Sequence, residues 1–439
     1  MNQVEKIKRD RFLNFYFFMM YLYTSMPALQ FNMTGKSNLF FLILGYGLTL
    51  IAAIKYKINF FNKKLIWIFT IVVLWTCAQL AIHGSFFILS PFIILEILSA
   101  FIIIKIFGKS IFRRFENVTY ILSIIALIFW VCNICMFPLM KLIANFFGVE
   151  ADGDKSTSLI IYTINMTDSI RNCGFAWEPG RTACMVCVGL LFYLMRTKCN
   201  FKTPRFWIMT ACVVSTMSTT GFSVYIVILL LCYMAYHRIN ILHLSALAAI
   251  VFCVFSLPFM GEKIKSLIGE ADNNGMSHIS KSLTWDSENK SEAERNFYVP
   301  QRFEGLMFST MNVVNTNYFI GDGRDFQNFY INRVLNWKVK TSEGVLEIIV
   351  RYGIIIGLCC YYLLYRSSAG ISRYFNIRNR WIFFIVFILI NISYNFWEVP
   401  IFMAIWMMPI YKNVNECILS TPLQSNIDRN NRLYISTVH

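Results

Sequence analysis

Residues 343–366, with the sequence EGVLEIIVRYGIIIGLCCYYLLYR, decide the fold of this chain. A helix needs roughly 20 mostly apolar residues to cross the hydrocarbon core of a bilayer, and this stretch has that length and composition. Glu343, Glu347 and Arg351 are spaced by four residues, which places them above one another on a single helical face. The stretch therefore predicts a membrane-spanning helix with one charged face.

Two interpretations of that charged face remain open. An ionisable group inside a membrane helix is costly unless it faces a wet cavity or a partner, so it can indicate a functional site. Alternatively, Glu347 and Arg351 form an ion pair that only joins helices. Glu96 and Glu398 lie in other apolar segments and are candidate partners.

The composition indicates that most of the chain lies in a membrane. Hydrophobic residues make up 57% of the 439 residues, 41 of them are Phe, and the mean hydropathy is +0.54. No soluble core needs so much apolar surface. We therefore predict an all-α integral membrane protein, a polytopic bundle of about 12 transmembrane helices with two long loops on one side. The predicted spans are 12–31, 38–54, 65–82, 86–107, 117–137, 182–195, 206–219, 221–236, 241–260, 343–365, 381–399 and 400–411.

These spans divide the chain into six parts. Residues 1–137 contain helices 1–5, and residues 138–181 form the first long loop. Residues 182–260 contain helices 6–9, and residues 261–342 form a second, larger loop. Residues 343–411 contain the last three helices, and residues 412–439 form a tail.

The net charge of +16 follows the predicted topology. Of the 40 Lys and Arg residues, 24 fall before the first helix, in the tail, or in the connections on that same side, whereas the short turns opposite contain only Lys36. This asymmetry is the positive-inside rule, so we predict cytoplasmic termini and two extracytoplasmic loops. It explains the basic charge better than a nucleic-acid partner does.

The first long loop ends in the motif RNCGFAWEPGR, residues 171–181. The guanidinium groups of Arg171 and Arg181 suit phosphate oxygens, and Glu178 is a candidate proton acceptor. The alternative is structural: Arg181 anchors the next helix at the membrane interface, and Glu178 caps that helix.

Further polar features face the same predicted side. Residues 215–221, STMSTTG, interrupt two apolar runs and form either a tight turn or part of a wet cavity. In the larger loop, Arg302 and Arg324 are the best candidate ligands for phosphate or sugar. The five His residues are scattered, and the sequence predicts neither a metal site nor a cofactor.

Three of these motifs resemble a known family. Gly321-Asp-Gly323, followed by residues 346–357 (LEIIVRYGIIIG), resembles the ending typical of the O-antigen polymerase and O-antigen ligase superfamily. Residues 171–181 resemble an Arg-x-x-Gly-Phe-x-x-Glu-Pro element of its earlier loop, and residues 218–221 resemble its polar turn. The resemblance implies a helical inner-membrane protein of the GT-C type that acts on undecaprenyl-diphosphate-linked glycans at the periplasmic face.

Ser342 and Glu343 stand where ligases of this family carry a His-Asn pair, so the resemblance favours a polymerase. The implied partners are an undecaprenyl-diphosphate-linked oligosaccharide, the lipid bilayer and a polysaccharide chain-length regulator. A ligase that transfers glycan to lipid A core, and a lipid-linked oligosaccharide flippase, remain alternatives. The predicted bases are Glu178, Glu343 and Glu347; the predicted substrate ligands are Arg171, Arg181, Arg302, Arg324 and Arg351.

Overall fold

A computed structural model describes the chain at residues 3–25, 36–60, 62–83, 92–146, 150–151, 156–159, 161–165, 170–236, 298, 300, 302–315, 319–341 and 343–411. The predicted span 241–260 and much of the predicted loop 261–342 lie outside these residues. The described part is mostly helical, as predicted from the composition.

The elements run in the following order. The amino-terminal helices are α1 (Gln3–Ser25), α2 (Lys36–Lys55), α3 (Lys63–His83), α4 (Phe92–Phe107), α5 (Ser110–Cys135) and α6 (Phe137–Phe146). Then come β1 (Glu150–Ala151), β2 (Ser156–Leu159) and β3 (Tyr162–Asn165), followed by α7 (Pro179–Thr197), α8 (Pro204–Ser215) and α9 (Thr219–Tyr236). The remaining helices are α10 (Arg302–Asn315), α11 (Tyr330–Arg333), α12 (Glu347–Tyr374), α13 (Ile382–Asn391) and α14 (Pro400–Met407).

Among the described residues, four helices are long and apolar enough to cross a membrane: Lys63–Ile82, Ser110–Cys135, Thr219–Tyr236 and Glu347–Tyr374. Shorter apolar helices cover Gly45–Lys55, Ile382–Asn391 and Pro400–Ile410. The protein is thus a multi-pass helical membrane protein by length and composition, and the count of about 12 spans stays a prediction.

Helix α7 lies at the centre of the bundle, because every residue from Pro179 to Met195 is buried. It packs between α5 and α9. A side chain at Gly189 would overlap Thr119 of α5, so the two helices approach closely at that glycine. The aromatic ring of Phe192 on α7 contacts the rings of Phe112 and Phe115 on α5.

Helix α3 is much more exposed than α7, since only 11% of its spanning window is buried. Hydrogen bonds attach it near both ends. At one end, Lys64 Nζ donates to the carbonyl oxygen of Ile410 at 2.6 Å. At the other end, Trp75 and Gln79 donate to the segment around Ile320.

Two ends of the bundle can be distinguished by their charges. At the end that we call the basic end, Glu116 of α5 accepts hydrogen bonds from Arg196 at 2.7 Å and from Arg205. Glu116 is completely buried, while the two arginines are partly exposed. This ion network joins α5, α7 and the start of α8.

The opposite end is more irregular than the sequence predicts. The predicted loop 138–181 contains most of α6 and an antiparallel sheet of order β1-β2-β3, in which Thr157 pairs with both Glu150 and Ile164. The predicted helix 381–399 ends at Asn391, because the side chain of Asn391 bonds to Phe387 O and accepts from Phe396 N. The residues after Asn391 therefore form a turn.

Candidate active site

The two glycine motifs that carried the family resemblance meet in space. Gly321 and Gly353 have φ angles of +77° and +78°, which side chains disfavour. A Cβ atom at Gly321 would lie 2.5 Å from Gly353 N, and one at Gly353 would overlap the Phe319 carbonyl. Only glycine allows the two backbones to touch here.

Helix α12 is kinked at Gly353, and the kink leaves carbonyl groups of the preceding turn available. Asp322 N donates to Val350 O at 2.7 Å, and Gly323 N donates to Arg351 O at 3.0 Å. The Gly-Asp-Gly turn is therefore hydrogen-bonded to the first turn of α12, and this fixes the position of Arg324.

Helix α3 completes this junction from the other side. Gln79 Nε2 donates to the carbonyl oxygens of Ile320, at 2.9 Å, and Arg351, at 2.6 Å. Trp75 Nε1 also donates to Ile320 O at 3.0 Å. Each half of the junction is thus held by the same amide side chain.

The junction positions a group of charged side chains around Glu398, which lies just before α14. Arg324 Nη2 donates to Glu398 Oε2 at 2.8 Å, and Arg351 Nη1 donates to the same oxygen at 2.6 Å. Tyr352 Oη donates to Glu398 Oε1 at 2.6 Å. Glu398 is therefore the central acceptor of this group.

Two further carboxylates flank Glu398. Arg324 Nη2 donates to Glu96 Oε1 at 2.9 Å, and Arg351 donates to Glu347 Oε1, with Nε at 2.9 Å. The other oxygen of each flanking carboxylate, Oε2, is buried and accepts no hydrogen bond from any described residue. We call Glu96, Arg324, Glu347, Arg351, Tyr352 and Glu398 the ion cluster, and its end of the bundle the cluster end.

With all groups ionised, the ion cluster carries a net charge of −1, because three carboxylates face two guanidinium groups. The side chains of Arg324 and Glu398 are each only 11% exposed. Burial opposes the charge on Arg324, but the carboxylates of Glu398 and Glu96 raise the pKa of Arg324 well above its usual value. Arg324 therefore stays protonated at every working pH.

An apolar cavity of about 410 Å³ begins at the ion cluster and extends between α3, α4, α12 and α14. Arg324, Tyr352, Glu398 and Gln79 line its polar end. Elsewhere its wall is almost entirely aliphatic, aromatic or thiol side chains. On α12 alone, the lining runs from Ile348 to Leu363. The cavity therefore combines a charged end with a long apolar body.

Glu343 is close to the cluster but has a different environment. It lies before α12 rather than on it, so the predicted stacking of Glu343 with Glu347 is wrong. Its carboxylate accepts from the backbone N–H groups of Val345, Leu346 and Glu347 at 2.8–3.1 Å. Glu343 therefore caps the helix, which favours a carboxylate at that position.

The first-loop motif packs against the polar turn after α8, so two other predicted features also meet. Asn172 donates from its backbone N to Ser215 O at 3.0 Å and from Nδ2 to Ser215 Oγ at 2.8 Å. Arg171 is half-buried and donates to the carbonyls of Thr216 and Met217 at 3.3–3.4 Å. These distances are long, so the guanidinium group of Arg171 is held loosely.

Arg181 is held much more tightly. It is 4% exposed, and it donates to the carbonyl oxygens of Ser25 and Thr24 at 3.0 Å each. Its guanidinium group also lies 4.7 Å from the centre of the Phe396 ring. Burial lowers the pKa of Arg181 to about 10. This geometry matches the structural alternative for Arg181.

Glu178 is the residue before α7, where its extended backbone begins the helix. It is half-buried, and its side chain does not cap α7. The sequence-based alternative of a capping role for Glu178 is therefore wrong, and its role as a base stays a prediction.

The turn between α13 and α14 connects the first-loop region to the ion cluster. On one side, Ser393 Oγ and Thr220 Oγ1 are 2.8 Å apart. On the other side, Gly344 N donates to Asn391 O at 2.6 Å. Glu398 follows Ser393 by five residues, so extended chain between them spans at most about 18 Å.

Arg302 is the first residue of α10, and its side chain lies outside the described part of the structure. The roles predicted for Arg171, Arg181, Arg302, Arg324 and Arg351 as substrate ligands stay predictions. Sequence reasoning missed Gln79 and Tyr352. Gln79 is the only Gln in the predicted span 65–82, and that unusual polar residue was the available signal.

Comparison with known families supports the resemblance. Residues 204–362 match the family model described as O-antigen ligase. The resemblance to the O-antigen polymerase and ligase family is confirmed. The family match includes Arg324, Glu347 and Arg351, whereas Glu96 and Glu398 lie outside the matched range. No curated protein and no solved structure matches the chain.

Proposed function

We propose that the protein is a surface-polysaccharide polymerase. It transfers the growing glycan from undecaprenyl diphosphate to a sugar hydroxyl of a second lipid-linked repeat unit. The observation that carries this proposal is the junction of the two family motifs, which places the ion cluster beside an apolar cavity, with Arg324 and Glu398 in the cavity lining. Charged side chains beside an apolar cavity suit a substrate that has a diphosphate and a sugar at one end and a long lipid chain at the other.

The reaction requires a base and an electrophilic stabiliser. The acceptor hydroxyl attacks the anomeric carbon of the donor, the bond from that carbon to the diphosphate oxygen breaks, and undecaprenyl diphosphate leaves with the electron pair. A carboxylate accepts the hydroxyl proton. Guanidinium groups stabilise the negative charge that develops on the diphosphate, without a metal ion in this proposal.

We assign the base to Glu347. Its Oε2 accepts no hydrogen bond from any described residue, whereas both oxygens of Glu343 accept from the backbone. Glu178 is the second candidate, because it is the carboxylate of the first-loop motif. Among the predicted arginines, Arg324 is assigned to the diphosphate because it lines the cavity.

The other arginines receive separate roles in this proposal. Arg351 orients Glu347 and Glu398 through its three bonding nitrogens. Arg171 and Arg302 contact the sugar or a second diphosphate. Arg181 fixes the start of α7, and with it the end of the loop that carries Arg171, against α1, because its Nε and Nη2 donate to the carbonyls of Ser25 and Thr24.

The proposed location is the bacterial inner membrane, with both termini in the cytoplasm and the ion cluster at the periplasmic face. Cys173 is buried and cannot report sidedness. Ile170 and Arg378 are exposed at opposite ends of the bundle, so cysteines introduced at these positions can. Because Cys77, Cys135 and Cys359 are exposed, the native cysteines are first replaced by Ser. In that background, an impermeant thiol reagent should label Ile170→Cys but not Arg378→Cys in intact spheroplasts, and the reverse pattern would reject this sidedness.

The polymerase proposal is tested in a deletion strain by gel profile of the surface polysaccharide. A polymerase deletion should leave a single repeat unit on the lipid core, and the wild-type gene should restore long chains. Purified protein should also lengthen a synthetic undecaprenyl-diphosphate repeat unit. A deletion strain with wild-type chain lengths would reject the proposal.

The ligase remains the second candidate, because the matching family model is described as O-antigen ligase. Ser342 and Glu343, which stand where ligases carry a His-Asn pair, argue for the polymerase, and Glu343 caps the first turn of α12 instead. The same gel separates the two enzymes: bare core with polymer retained on the carrier lipid would identify a ligase. A dependence of chain length on a co-expressed chain-length regulator would favour the polymerase.

A further inference from the structure

The charge of the ion cluster creates a difficulty for any anionic substrate. Three carboxylates already surround Arg324 and Arg351, so a diphosphate at the cavity mouth adds negative charge to a site with a net charge of −1. Such crowding is strongly unfavourable where side chains are buried. Binding therefore requires either that a carboxylate leaves its guanidinium partner or that it takes up a proton.

Glu96 is the carboxylate that can leave most readily. Glu398 accepts from three side chains, and Glu347 accepts from two nitrogens of Arg351. Glu96, in contrast, accepts from Arg324 only, and its second oxygen is buried with no hydrogen-bond donor among the described residues. Glu96 lies on α4, where Tyr23 of α1 and Tyr46 of α2 are close enough to interact with its charge. It bonds to no residue of α12 in the described structure, so its release leaves the bonds within α12 intact.

The cavity shows where the rest of such a ligand would lie. The apolar part of the cavity is lined by Ile355 and Cys359 on α12 and by Ile71 on α3. The lined part of α12, from Ile348 to Leu363, is about 22 Å long at 1.5 Å per residue. Because α3 is attached near its ends and is otherwise poorly buried, the cavity has one wall with few packing contacts. An isoprenoid chain fits this shape and polarity.

We propose that the cavity binds the polyprenyl chain of the substrate and that its diphosphate displaces Glu96 from Arg324, whereupon Glu96 takes up one proton from solvent. In the empty site, Glu96 acts as an internal anion that holds Arg324 in position. The inference rests on the proposed function, since it uses the same lipid-linked substrate. It adds the location of the chain and a coupling between substrate binding and protonation.

The test uses the full-length protein in phosphatidylcholine nanodiscs and undecaprenyl diphosphate without sugar. Isothermal titration above pH 7.5, in buffers of different ionisation enthalpy, should give about one proton taken up per ligand. The dissociation constant should rise about tenfold per pH unit, because one proton is linked to binding. A pH-independent affinity with no proton uptake would overturn the displacement of Glu96.

Glu96→Gln should abolish the proton uptake and tighten binding about tenfold at pH 8, because the neutral amide competes less strongly for Arg324. Glu304→Gln is the matched control: it removes one carboxylate from α10, outside the ion cluster, and should keep the wild-type uptake. Unchanged uptake in Glu96→Gln would reject the proposal. If that variant does not fold, the wild-type pH dependence decides.

The position of the chain is tested with bulky substitutions on α12. Ile355 is 50% exposed and lines the cavity, whereas Leu358 is 58% exposed and does not. Ile355→Trp should weaken binding of undecaprenyl diphosphate at least tenfold, and Leu358→Trp should bind as the wild type does. Equal affinities of the two variants would remove the chain from this cavity. Farnesyl diphosphate should bind more weakly than undecaprenyl diphosphate to the wild type.

An ordinary phospholipid could supply the same chemistry, an anionic head on an apolar chain. Phosphatidic acid should therefore be titrated into the same nanodiscs. If it produces the same affinity and proton uptake, the site belongs to phospholipid and the proposal is overturned.

These measurements also separate this inference from the polymerase proposal. Binding with proton uptake but no glycan transfer by the wild type would reject the polymerase proposal and keep the lipid site. Glycan transfer by the wild type, with no effect of Ile355→Trp or Glu96→Gln on binding, would keep the polymerase proposal and reject the lipid site.

Discussion

The two buried ion networks of this bundle differ in how completely their carboxylates are satisfied. At the basic end, one carboxylate, Glu116, faces Arg196 and Arg205, and both of its oxygens accept hydrogen bonds. At the cluster end, three carboxylates face two guanidinium groups, and Glu96 and Glu347 each keep one buried oxygen that accepts no hydrogen bond from the described residues. A carboxylate whose two oxygens are both hydrogen-bonded mainly holds helices together. A carboxylate with an oxygen that lacks a donor can still accept a proton or bind a ligand.

The surroundings of the two networks support the same distinction. The basic-end network joins α5, α7 and α8, and none of its residues lines the apolar cavity. The ion cluster borders the cavity through Arg324, Tyr352 and Glu398. The comparison therefore predicts that mutations at the cluster end affect activity first, while mutations at the basic end affect stability first.

The largest expected effect is on activity, from Glu347→Gln. Removing the proposed base should lower the transfer rate 100- to 10,000-fold, the usual contribution of general base catalysis. The melting temperature should change little, because Arg351 keeps its ion pair with Glu398 and the loss of one carboxylate leaves the ion cluster neutral. Transfer by purified protein with a synthetic lipid-linked repeat unit measures this. Glu178→Gln is the companion variant, and if it alone is inactive, Glu178 takes the role of base.

Gly353→Ala should destabilise the cluster end by about 4 kcal/mol, from backbone strain at positive φ and overlap with the Phe319 carbonyl. Transfer activity should fall by more than the loss of folded protein explains, because Arg324 loses its position in the molecules that still fold. Gly370→Ala is the control on the same helix, where a Cβ atom meets nothing within 4 Å. It should stabilise α12 by about 0.5–1 kcal/mol. Equal melting temperatures for the two variants would contradict the backbone contact.

At the basic end, Glu116→Gln should lower the free energy of unfolding by about 3 kcal/mol, because Arg196 and Arg205 lose the one carboxylate that they contact in the described part of the chain. The loss stays moderate because Arg196 and Arg205 are partly exposed to solvent. Thermal unfolding in detergent measures the change. The specific activity of the protein that remains folded should match the wild type, and a selective loss of activity would show that the basic end is not merely structural.

The sequence predicted the charged face of α12 and the partners of Arg351 because both depend on short-range rules. Spacing by four fixes the pairing of Glu347 with Arg351, and the cost of buried charge required Glu96 and Glu398 to find partners. The same rules favoured a helix that begins at Glu343. The structure differs there, because the backbone N–H groups of the first turn need an acceptor and Glu343 supplies it.

Other features depended on contacts between distant segments, so the sequence could not supply them. The burial of Arg181 follows from the position of the carbonyls of Thr24 and Ser25, more than 150 residues away along the chain. The cavity exists because α3 meets the bundle mainly near its ends, which composition does not encode. The sequence shows which positions carry charged side chains. Which of these side chains are accessible to a substrate depends on how the helices pack.

The smallest expected effect concerns the attachment of α3 to the cluster end. Trp75→Phe keeps an aromatic ring in the cavity wall but removes the hydrogen bond from Nε1 to Ile320 O, which should cost about 1 kcal/mol of stability. Trp67→Phe is the matched control on the same helix, since Trp67 is 67% exposed. Thermal unfolding and the KM for the lipid-linked substrate should be measured for both variants. If α3 forms a wall of the lipid site, only Trp75→Phe raises KM, by a few fold, and leaves kcat unchanged. A lower kcat instead would mean that α3 acts on Arg351 through Gln79, because both side chains hold the same Ile320 carbonyl and a shift in one moves the other.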